Sequence, residues 1–159
     1  WGMQVAVTAA GGDVKRAQNG TNIGISNNIE VTELGSTHPL YKEKPKKFNT
    51  PAYNYDEVVT LPQNCKHLSS NNINKIQAIN FKIKKSDVWG IQYHPEITYK
   101  KMVSLINYRR DHLLSNTDIF KTEKDLDQHI YFINNEDNLT KKEIRMKEVE
   151  NWLKFSSLI

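Results

Sequence analysis

The sequence predicts an α/β domain in which strands dominate up to residue 96 and helices dominate afterwards. The first part alternates short β-branched and aromatic segments with polar turns, which is typical of strands. After Glu96, apolar residues recur at the three- and four-residue spacing of amphipathic helices. At 159 residues, the chain has the size of one domain that buries about two-thirds of its unfolded surface.

One short helix is predicted before the first strand. Its apolar residues share one helical face, namely Met3, Ala6, Val7 and Ala10. The pair Gly11-Gly12 ends the pattern, because glycine readily adopts the left-handed conformation that follows many helices. The pattern is already under way at Trp1, without an N-cap residue or an initiating methionine. We therefore expect the natural protein to contain a portion that precedes Trp1.

Strands are predicted between Ile23 and His94. The alternation of Ile23, Ile25, Ile29 and Val31 favours either a strand pair or one strand with an irregular step at Asn27-Asn28. Residues 33–47 contain glycine and two prolines and are interpreted as a loop. Further extended segments are predicted at residues 48–55, 58–59, 67–70, 76–83 and 88–94. Because the turns between them are short, we expect antiparallel or mixed pairing rather than alternating βα units.

Three amphipathic helices are predicted after Glu96. The first covers about residues 98–114, with an apolar face formed by Met102, Leu105, Ile106 and Leu113. The second follows Thr122 and carries Leu126, Ile130 and Ile133. The last carries Met146, Val149, Trp152 and Leu153, with Thr140 as its predicted N-cap and Glu143 three residues later. Such stripes usually form core or docking faces rather than partner grooves.

Composition and charge exclude several classes of protein. The net charge of +4 is scattered, and its one tight cluster, at residues 42–47, is interpreted as a solvated loop. No nucleic-acid motif accompanies that cluster, so no nucleic-acid partner is predicted. There is no run of eighteen apolar residues and no signal peptide, so we expect no membrane association. The single cysteine, Cys65, fits a reducing cytoplasm.

The run from Trp89 to Glu96 is the strongest candidate for a functional site. It ends at Pro95, which cannot continue a β-ladder and is flanked by His94 and Glu96. Residues i and i+2 of an extended chain point the same way, so the carboxylate can orient the imidazole and stabilise its protonated form. This pair matches the base and the orienting acid of a nucleophilic triad. The spacing alone leaves open that His94 is an ordinary strand-end histidine.

Cys65 is a poor candidate for the nucleophile of such a triad. It lies in a turn that enters a strand, without a glycine elbow or a following helix. Lys66 is its only neighbour in sequence that could lower the pKa of the thiol. The five histidines are dispersed, and no paired Cys or His motif is present, so neither a metal site nor a cofactor is predicted.

Two motifs together resemble those of class I glutamine amidotransferases, in the branch similar to GMP synthase. Trp1-Gly2-Met3-Gln4 resembles the end of the family's Cys-x-Gly-x-Gln motif, and residues 90–96 resemble its second motif. Between them, residues 54–58 followed by Leu61-Pro62 resemble the family's His-x-Asp-x-Val segment, with Asn54 in place of the histidine. The resemblance covers residues 1–96, and the helical tail is similar to extensions on stand-alone members.

The resemblance implies a flavodoxin-like fold, of which this chain holds the C-terminal portion of the sheet with an added helical tail. Residues 1–97 would form the amidotransferase domain without its N-terminal strands and nucleophile, and residues 98–159 a helical extension packed on it. L-Glutamine is the implied substrate, and an ammonia-accepting synthetase on another chain is the implied partner. The resemblance implies no cofactor, agrees with a cytoplasmic protein and is compatible with a homo-oligomer.

The resemblance also implies roles for individual residues. In this family a cysteine attacks the side-chain amide of glutamine, ammonia leaves, and water releases glutamate from the thioester. Carried over by position, His94 is the acid/base and Glu96 orients it. The implied oxyanion and substrate-binding residues are Trp1, Gln4, Tyr93 and Asn54. The nucleophilic cysteine is expected immediately before Trp1.

Two alternative functions stay open. The domain could lack a nucleophile altogether and act as a binding or regulatory partner, a hypothesis that the residue before Trp1 would test. It could also use the same triad on other substrates, as a γ-glutamyl hydrolase or peptidase.

Overall fold

The computed structural model describes residues 1–116 and 119–158, and this part of the chain contains nine strands and seven α-helices. The strands are β1 (Asp13–Arg16), β2 (Asn22–Ile23), β3 (Ser26–Val31), β4 (Lys47–Thr50), β5 (Tyr53–Asn54), β6 (Asp56–Thr60), β7 (Lys66–Ser70), β8 (Ala78–Ile83) and β9 (Ser86–Ile91). The helices are α1 (Gly2–Ala9), α2 (Glu33–Ser36), α3 (Tyr99–Tyr108), α4 (Arg110–Asn116), α5 (Glu123–Leu139), α6 (Lys142–Arg145) and α7 (Lys147–Phe155). One turn of 3₁₀-helix spans Pro39–Tyr41.

Five strands form one antiparallel sheet in the order β4-β3-β7-β8-β9, so β9 lies at its edge. The other strands form two antiparallel pairs, β1 with β6 and β2 with β5. Of the antiparallel or mixed pairing that was predicted, the structure shows the antiparallel form. The irregular step at Asn27-Asn28 is also confirmed, since the register shifts between Ser26 and Ile29 and Asn28 has a φ of 51°.

Helix α1 packs against the edge of this sheet. Met3 and Val7 are buried in one cluster with residues of β6 and β8, as the apolar spacing predicted. A Cβ atom at Gly90 would lie 2.8 Å from Cγ of Met3 and 3.1 Å from Cγ1 of Ile79. Gly90 therefore allows α1 to approach β9 closely, which brings the first predicted motif beside the strand that leads to the second.

The segment 33–47 is more ordered than the loop that was predicted. It begins with α2, where the side chain of Thr32 caps the helix by accepting a 3.0 Å hydrogen bond from the N–H of Gly35. The prediction of a fully solvated basic loop is wrong for Lys44, whose side chain is 1% exposed and pairs with Glu148. Sequence neighbours alone suggested solvation, whereas the partner of Lys44 lies about a hundred residues further along the chain.

Helices α3, α4 and α5 form a second core with β2 and with Ile25, which precedes β3. Its buried residues are Ile23, Ile25, Tyr99, Ile106, Leu113, Phe120, Leu126 and Ile133. The helix predicted for residues 98–114 is divided at Arg109 into α3 and α4. Helix α5 begins after Thr122 as predicted, where the side chains of Thr122 and Asp125 form a reciprocal capping box.

The last predicted helix differs from the structure in its start and in its buried face. Thr140 is the C-cap of α5 rather than an N-cap, and two helices, α6 and α7, follow it. The buried residues of α7 are Glu148 and Asn151, whereas Trp152 is 43% exposed. Asn151 donates hydrogen bonds of 3.0 and 2.8 Å to the carbonyl oxygens of Leu40 and Lys42, so α7 packs on the 3₁₀-helix through polar contacts. No helix among the described residues is long and apolar enough to cross a membrane.

Candidate active site

The turn that follows β9 brings His94 and Glu96 into direct contact. Nδ1 of His94 lies 2.8 Å from Oε1 of Glu96, and the backbone N–H of His94 donates a 2.7 Å hydrogen bond to the carbonyl oxygen of Pro51. A carboxylate only accepts hydrogen bonds, so Nδ1 of His94 is the protonated nitrogen and Nε2 remains for proton exchange. The side chains are 35% and 52% exposed, so a substrate can reach the pair.

Three segments far apart in sequence converge on the backbone carbonyl of Asp56. The side-chain amides of Gln4 and Asn54 each donate to this oxygen at 3.1 Å, and that of Gln92 donates at 3.5 Å. Gln4 belongs to α1, Asn54 to β5, and Gln92 lies two residues before His94. The structure thus joins the three motifs that the sequence singled out.

A cavity of about 340 Å³ opens beside this junction. Its lining residues are Trp1, Gln4, Tyr53, Asn54, Tyr55, Asp56, Leu105 and Arg109. Three of the predicted oxyanion and substrate-binding residues, Trp1, Gln4 and Asn54, therefore share one cavity. Its volume falls within the range of small-molecule sites.

Asn54 lines the cavity, but its side chain is committed to a buried network. Its Oδ1 accepts a 3.0 Å hydrogen bond from Asn22, and its Nδ2 donates to Asn74 at 3.1 Å as well as to Asp56. Asn54 is 7% exposed. Its carboxamide accordingly holds the wall of the cavity in place, and this network supports β5 where it pairs with β2.

Tyr93 is placed away from this cavity. Its ring is 1% exposed and packs in the sheet core against Phe48, with ring centroids 5.7 Å apart. Its hydroxyl donates to Oε1 of Glu148 at 2.8 Å and lies 2.8 Å from the hydroxyl of Tyr41. Burial, and next the charge of Glu148, raise the pKa of Tyr93 well above its usual value. Tyr93 therefore belongs to the sheet core rather than to the wall of the cavity.

Two tyrosines and two arginines form a cationic rim beside the cavity. The rings of Tyr53 and Tyr55 lie 5.8 Å apart, and their hydroxyls are 3.3 Å apart. The guanidinium of Arg16 lies 4.5 Å from the centroid of Tyr55, and that of Arg109 lies 5.9 Å from the centroid of Tyr53. Within the described residues Arg109 forms no ion pair, whereas its neighbour Arg110 pairs with Asp127. Arg109 therefore offers a positive charge to whatever occupies the cavity.

Sequence reasoning missed this rim. Arg109 lies at the C-cap of α3, in a helical segment interpreted only through its apolar face. Arg16 and Tyr53 belong to short strands whose side chains carry no motif. The dipeptide Arg109-Arg110 was the one available signal, but it does not show which arginine turns to a cavity and which to a neighbouring helix.

Cys65 has the properties of an unreactive thiol. Burial raises its pKa to about 11, so little thiolate forms at neutral pH. Its Sγ lies 3.8 Å from the carbonyl oxygen of Lys66, and it packs beside the cluster under α1. Across residues 1–116 and 119–158, no group of three or more His, Cys, Asp or Glu side chains is placed to hold a metal ion.

The sequence matches the family model for "Glutamine amidotransferase class-I" over residues 1–109, which includes the whole of α3. Because this match covers more than half of the chain, the protein belongs to the class I glutamine amidotransferase family. The family assignment agrees with the resemblance that the paired motifs indicated.

Two curated relatives illustrate the range of this family. The chain is 38% identical over 101 residues to a gamma-glutamyl-L-1-hydroxyisopropylamide hydrolase from Pseudomonas sp., covering 62% of this chain and 34% of the relative. It is 34% identical over 98 residues to a glutamine-hydrolyzing GMP synthase subunit from Methanococcus aeolicus, covering 62% of this chain and 48% of the relative. The chain thus spans between a third and a half of the length of these relatives.

Solved structures share the fold. A glutamine amidotransferase from Thermotoga maritima aligns with a TM-score of 0.64 at 19% identity, covering 90% of this chain and 55% of that one. A glutamine amido transferase from Methylobacillus flagellatus aligns with a TM-score of 0.58 at 15% identity, covering 93% and 59%. The predicted α/β fold, similar to that of class I amidotransferases, is confirmed. Both alignments cover more of this chain than residues 1–97 and therefore include much of the helical segment.

Proposed function

We propose that this chain is part of an enzyme that hydrolyses the side-chain amide of glutamine through a Cys-His-Glu triad. His94 would be the acid/base, Glu96 would orient it, and the nucleophile would be a cysteine immediately before Trp1. The observation that supports the proposal most strongly is the 2.8 Å contact between Nδ1 of His94 and Glu96, which leaves Nε2 to exchange protons. The match to the family over residues 1–109 supports the same reaction class.

The position before Trp1 suits a nucleophilic thiol. It would lie at the N-terminus of α1, where unpaired backbone N–H groups and the helix dipole stabilise a thiolate. The same N–H groups can stabilise the oxyanion that forms when the amide carbonyl is attacked. The resemblance assigns the backbone N–H of Trp1 to this task.

The proposed reaction has two steps. Nε2 of His94 takes the thiol proton, the sulfur attacks the amide carbon, and His94 then delivers the proton to the leaving nitrogen as the C–N bond breaks. Ammonia leaves and a γ-glutamyl thioester remains. A water molecule attacks the thioester and His94 accepts its proton; the C–S bond then breaks to release glutamate, and His94 returns the proton to the sulfur. Glu96 stabilises the imidazolium that forms in each step.

The cavity offers complementary groups for the amino-acid end of the substrate. Arg109 can pair with the α-carboxylate of a γ-glutamyl group, because no carboxylate among residues 1–116 and 119–158 forms an ion pair with its guanidinium. Asp56 lines the same cavity and can accept from the α-ammonium group.

An ammonia-accepting synthetase on a separate polypeptide is the proposed partner. The GMP synthase relative from Methanococcus aeolicus is named as one subunit of its enzyme, which supports a division of the amidotransferase and synthetase activities between chains.

A second function, hydrolysis of a γ-glutamyl amide with a larger amine group, is favoured by a specific observation. The relative from Pseudomonas sp. is named for such a substrate and is the more similar of the two relatives described above. Glutamine and a γ-glutamyl alkylamide share the γ-glutamyl group and the scissile amide, so one triad could act on both. The two substrates differ in the space that the active site must provide for the leaving amine.

Glutamate release by the full-length protein tests the proposal and separates the two functions. We expect hydrolysis of glutamine, and a decrease in kcat/KM of about 100-fold or more in His94→Asn. The matched control is His112→Asn, on α4, which should retain the activity of the wild type. If a γ-glutamyl alkylamide has a higher kcat/KM than glutamine, the second function is correct. If neither substrate is hydrolysed, the domain has the binding or regulatory role of a nucleophile-less member.

A further inference from the structure

The C-terminal helices return to the turn that carries Glu96. Through Nη1, Arg145 at the end of α6 donates hydrogen bonds to the carbonyl oxygens of Pro95 and Ile97, the latter at 2.9 Å. These two residues flank Glu96 in the sequence. Arg145 is 6% exposed, so water competes little for the two carbonyls.

The turn is short and leaves these carbonyls in need of a donor. It is closed by one backbone hydrogen bond of 3.1 Å, from the N–H of Ile97 to the carbonyl oxygen of His94. Pro95 has no N–H to contribute. Arg145 therefore supplies side-chain hydrogen bonds on both sides of Glu96, and the backbone that carries this carboxylate is held by a residue fifty positions away.

Arg145 is itself held by a buried network. Nζ of Lys44 donates to the carbonyl oxygen of Ile144 at 2.8 Å and to Oε2 of Glu148 at 2.8 Å. The side chains of Lys44 and Glu148 are each 1% exposed. The other carboxylate oxygen of Glu148 accepts the 2.8 Å hydrogen bond from Tyr93, the residue before His94. Helices α6 and α7 thus contact the chain on both sides of His94.

We propose that Arg145 is a positioning residue for the proposed active site, acting through the backbone of Glu96. This inference rests on the proposed function. Arg145 holds the Pro95–Ile97 turn so that the carboxylate of Glu96 stays within hydrogen-bond distance of Nδ1 of His94. Helices α6 and α7 are therefore a structural component of the proposed active site rather than an appended extension.

The choice of arginine follows from the geometry. Both hydrogen bonds come from Nη1, whose two N–H groups are held in fixed directions by the planar guanidinium. Lysine keeps the charge, but its ammonium sits on a flexible stem that does not fix the direction of its donors. Methionine has a similar length and no donor. Arg145→Lys should therefore weaken the hydrogen bonds to the two carbonyl oxygens, and Arg145→Met should remove them.

The test measures kcat and KM for glutamate release by the full-length protein. We expect Arg145→Met to lower kcat by about 10- to 100-fold, because small misplacements of catalytic groups have effects of this size, while KM stays within about threefold. Arg145→Lys should lower kcat by about 3- to 10-fold. The control is Lys142→Met, an exposed residue of the same helix, which should match the wild type in kcat.

A double-mutant cycle with Glu96→Gln separates positioning from general destabilisation. If Arg145 acts through Glu96, then Arg145→Lys lowers kcat in the wild type but has little further effect in Glu96→Gln. Equal decreases in both backgrounds, or no decrease in either, would overturn the proposal. Because the cycle uses the conservative variant, it is informative even if Arg145→Met does not fold. If the wild type hydrolyses no substrate, or if His94→Asn hydrolyses glutamine as fast as the wild type, the proposed function is refuted. The positioning role of Arg145 is then refuted with it.

Discussion

Replacing Lys44 by methionine should strongly destabilise the protein, because it leaves the carboxylate of Glu148 buried without a cation. The two charged atoms lie 2.8 Å apart, and both side chains are 1% exposed. Nζ of Lys44 also lies 4.4 Å from the centroid of Phe48 and donates to the carbonyl oxygen of Ile144. Methionine keeps the packing of the aliphatic stem and removes these interactions of the ammonium group.

The expected loss is about 3–5 kcal/mol in the free energy of unfolding at neutral pH, the usual cost of removing one partner from a buried ion pair. Burial raises the pKa of Glu148, and Lys44 is the main group that opposes this effect. Without Lys44 the pKa of Glu148 in the folded protein rises further above its unfolded value of 4.5. The folded state then binds more protons than the unfolded state, so the penalty is largest at neutral pH and shrinks as the pH falls towards that value.

Lys47→Met is the matched control for this experiment. Lys47 pairs with Glu30 at 2.9 Å, almost the same distance, but these side chains are 58% and 63% exposed. Surface pairs contribute about 0–1 kcal/mol, so the control should unfold almost like the wild type. Urea unfolding of the full-length protein, followed by tryptophan fluorescence, gives both free energies. If Lys44→Met loses no more stability than Lys47→Met, the carboxylate of Glu148 is not buried as described.

Three further changes test other parts of the structure. Cys65→Ser should change kcat for amide hydrolysis by less than about twofold, because the thiol is not the proposed nucleophile; a loss of activity would contradict this. Arg109→Met should raise KM for glutamine by about 10- to 100-fold as one charged hydrogen bond is lost, whereas Arg110→Met should not. Burial lowers the pKa of His129 below 6.5, so the unfolded state binds more protons below that pH and stability falls as the pH drops. His129→Asn should make the free energy of unfolding less dependent on pH between about 7.5 and 5.5; an unchanged dependence would refute the effect of burial.

Local sequence patterns predicted much of the framework. The helix at Met3 and Val7, the antiparallel strands and the irregular step at Asn28 all depend on spacing or on residues adjacent in sequence. The contact of His94 with Glu96 was also predicted from their spacing, although the structure makes it in the turn closed by Ile97 rather than on extended backbone.

The polar core of the C-terminal segment could not be predicted in this way. Hydrophobic periodicity selected Trp152 on α7, whereas the buried residues are Glu148 and Asn151. Their burial depends on Lys44 and on backbone carbonyls of the 39–42 segment, more than a hundred residues away. A charged residue is buried only when such a partner is present, and no local pattern reveals a distant partner.

Covalent labelling of the full-length protein tests the proposed triad most directly. A diazoketone analogue of glutamine carries a diazomethyl carbon in place of the amide nitrogen. Once this carbon is protonated, a thiolate beside the bound γ-glutamyl group displaces N2 and forms a C–S bond. Peptide mass spectrometry should find the label on a cysteine immediately before Trp1, and the labelling rate should fall in His94→Asn. A label on Cys65, no label, or a rate that does not depend on His94 would contradict the proposal that His94 and Glu96 activate that cysteine.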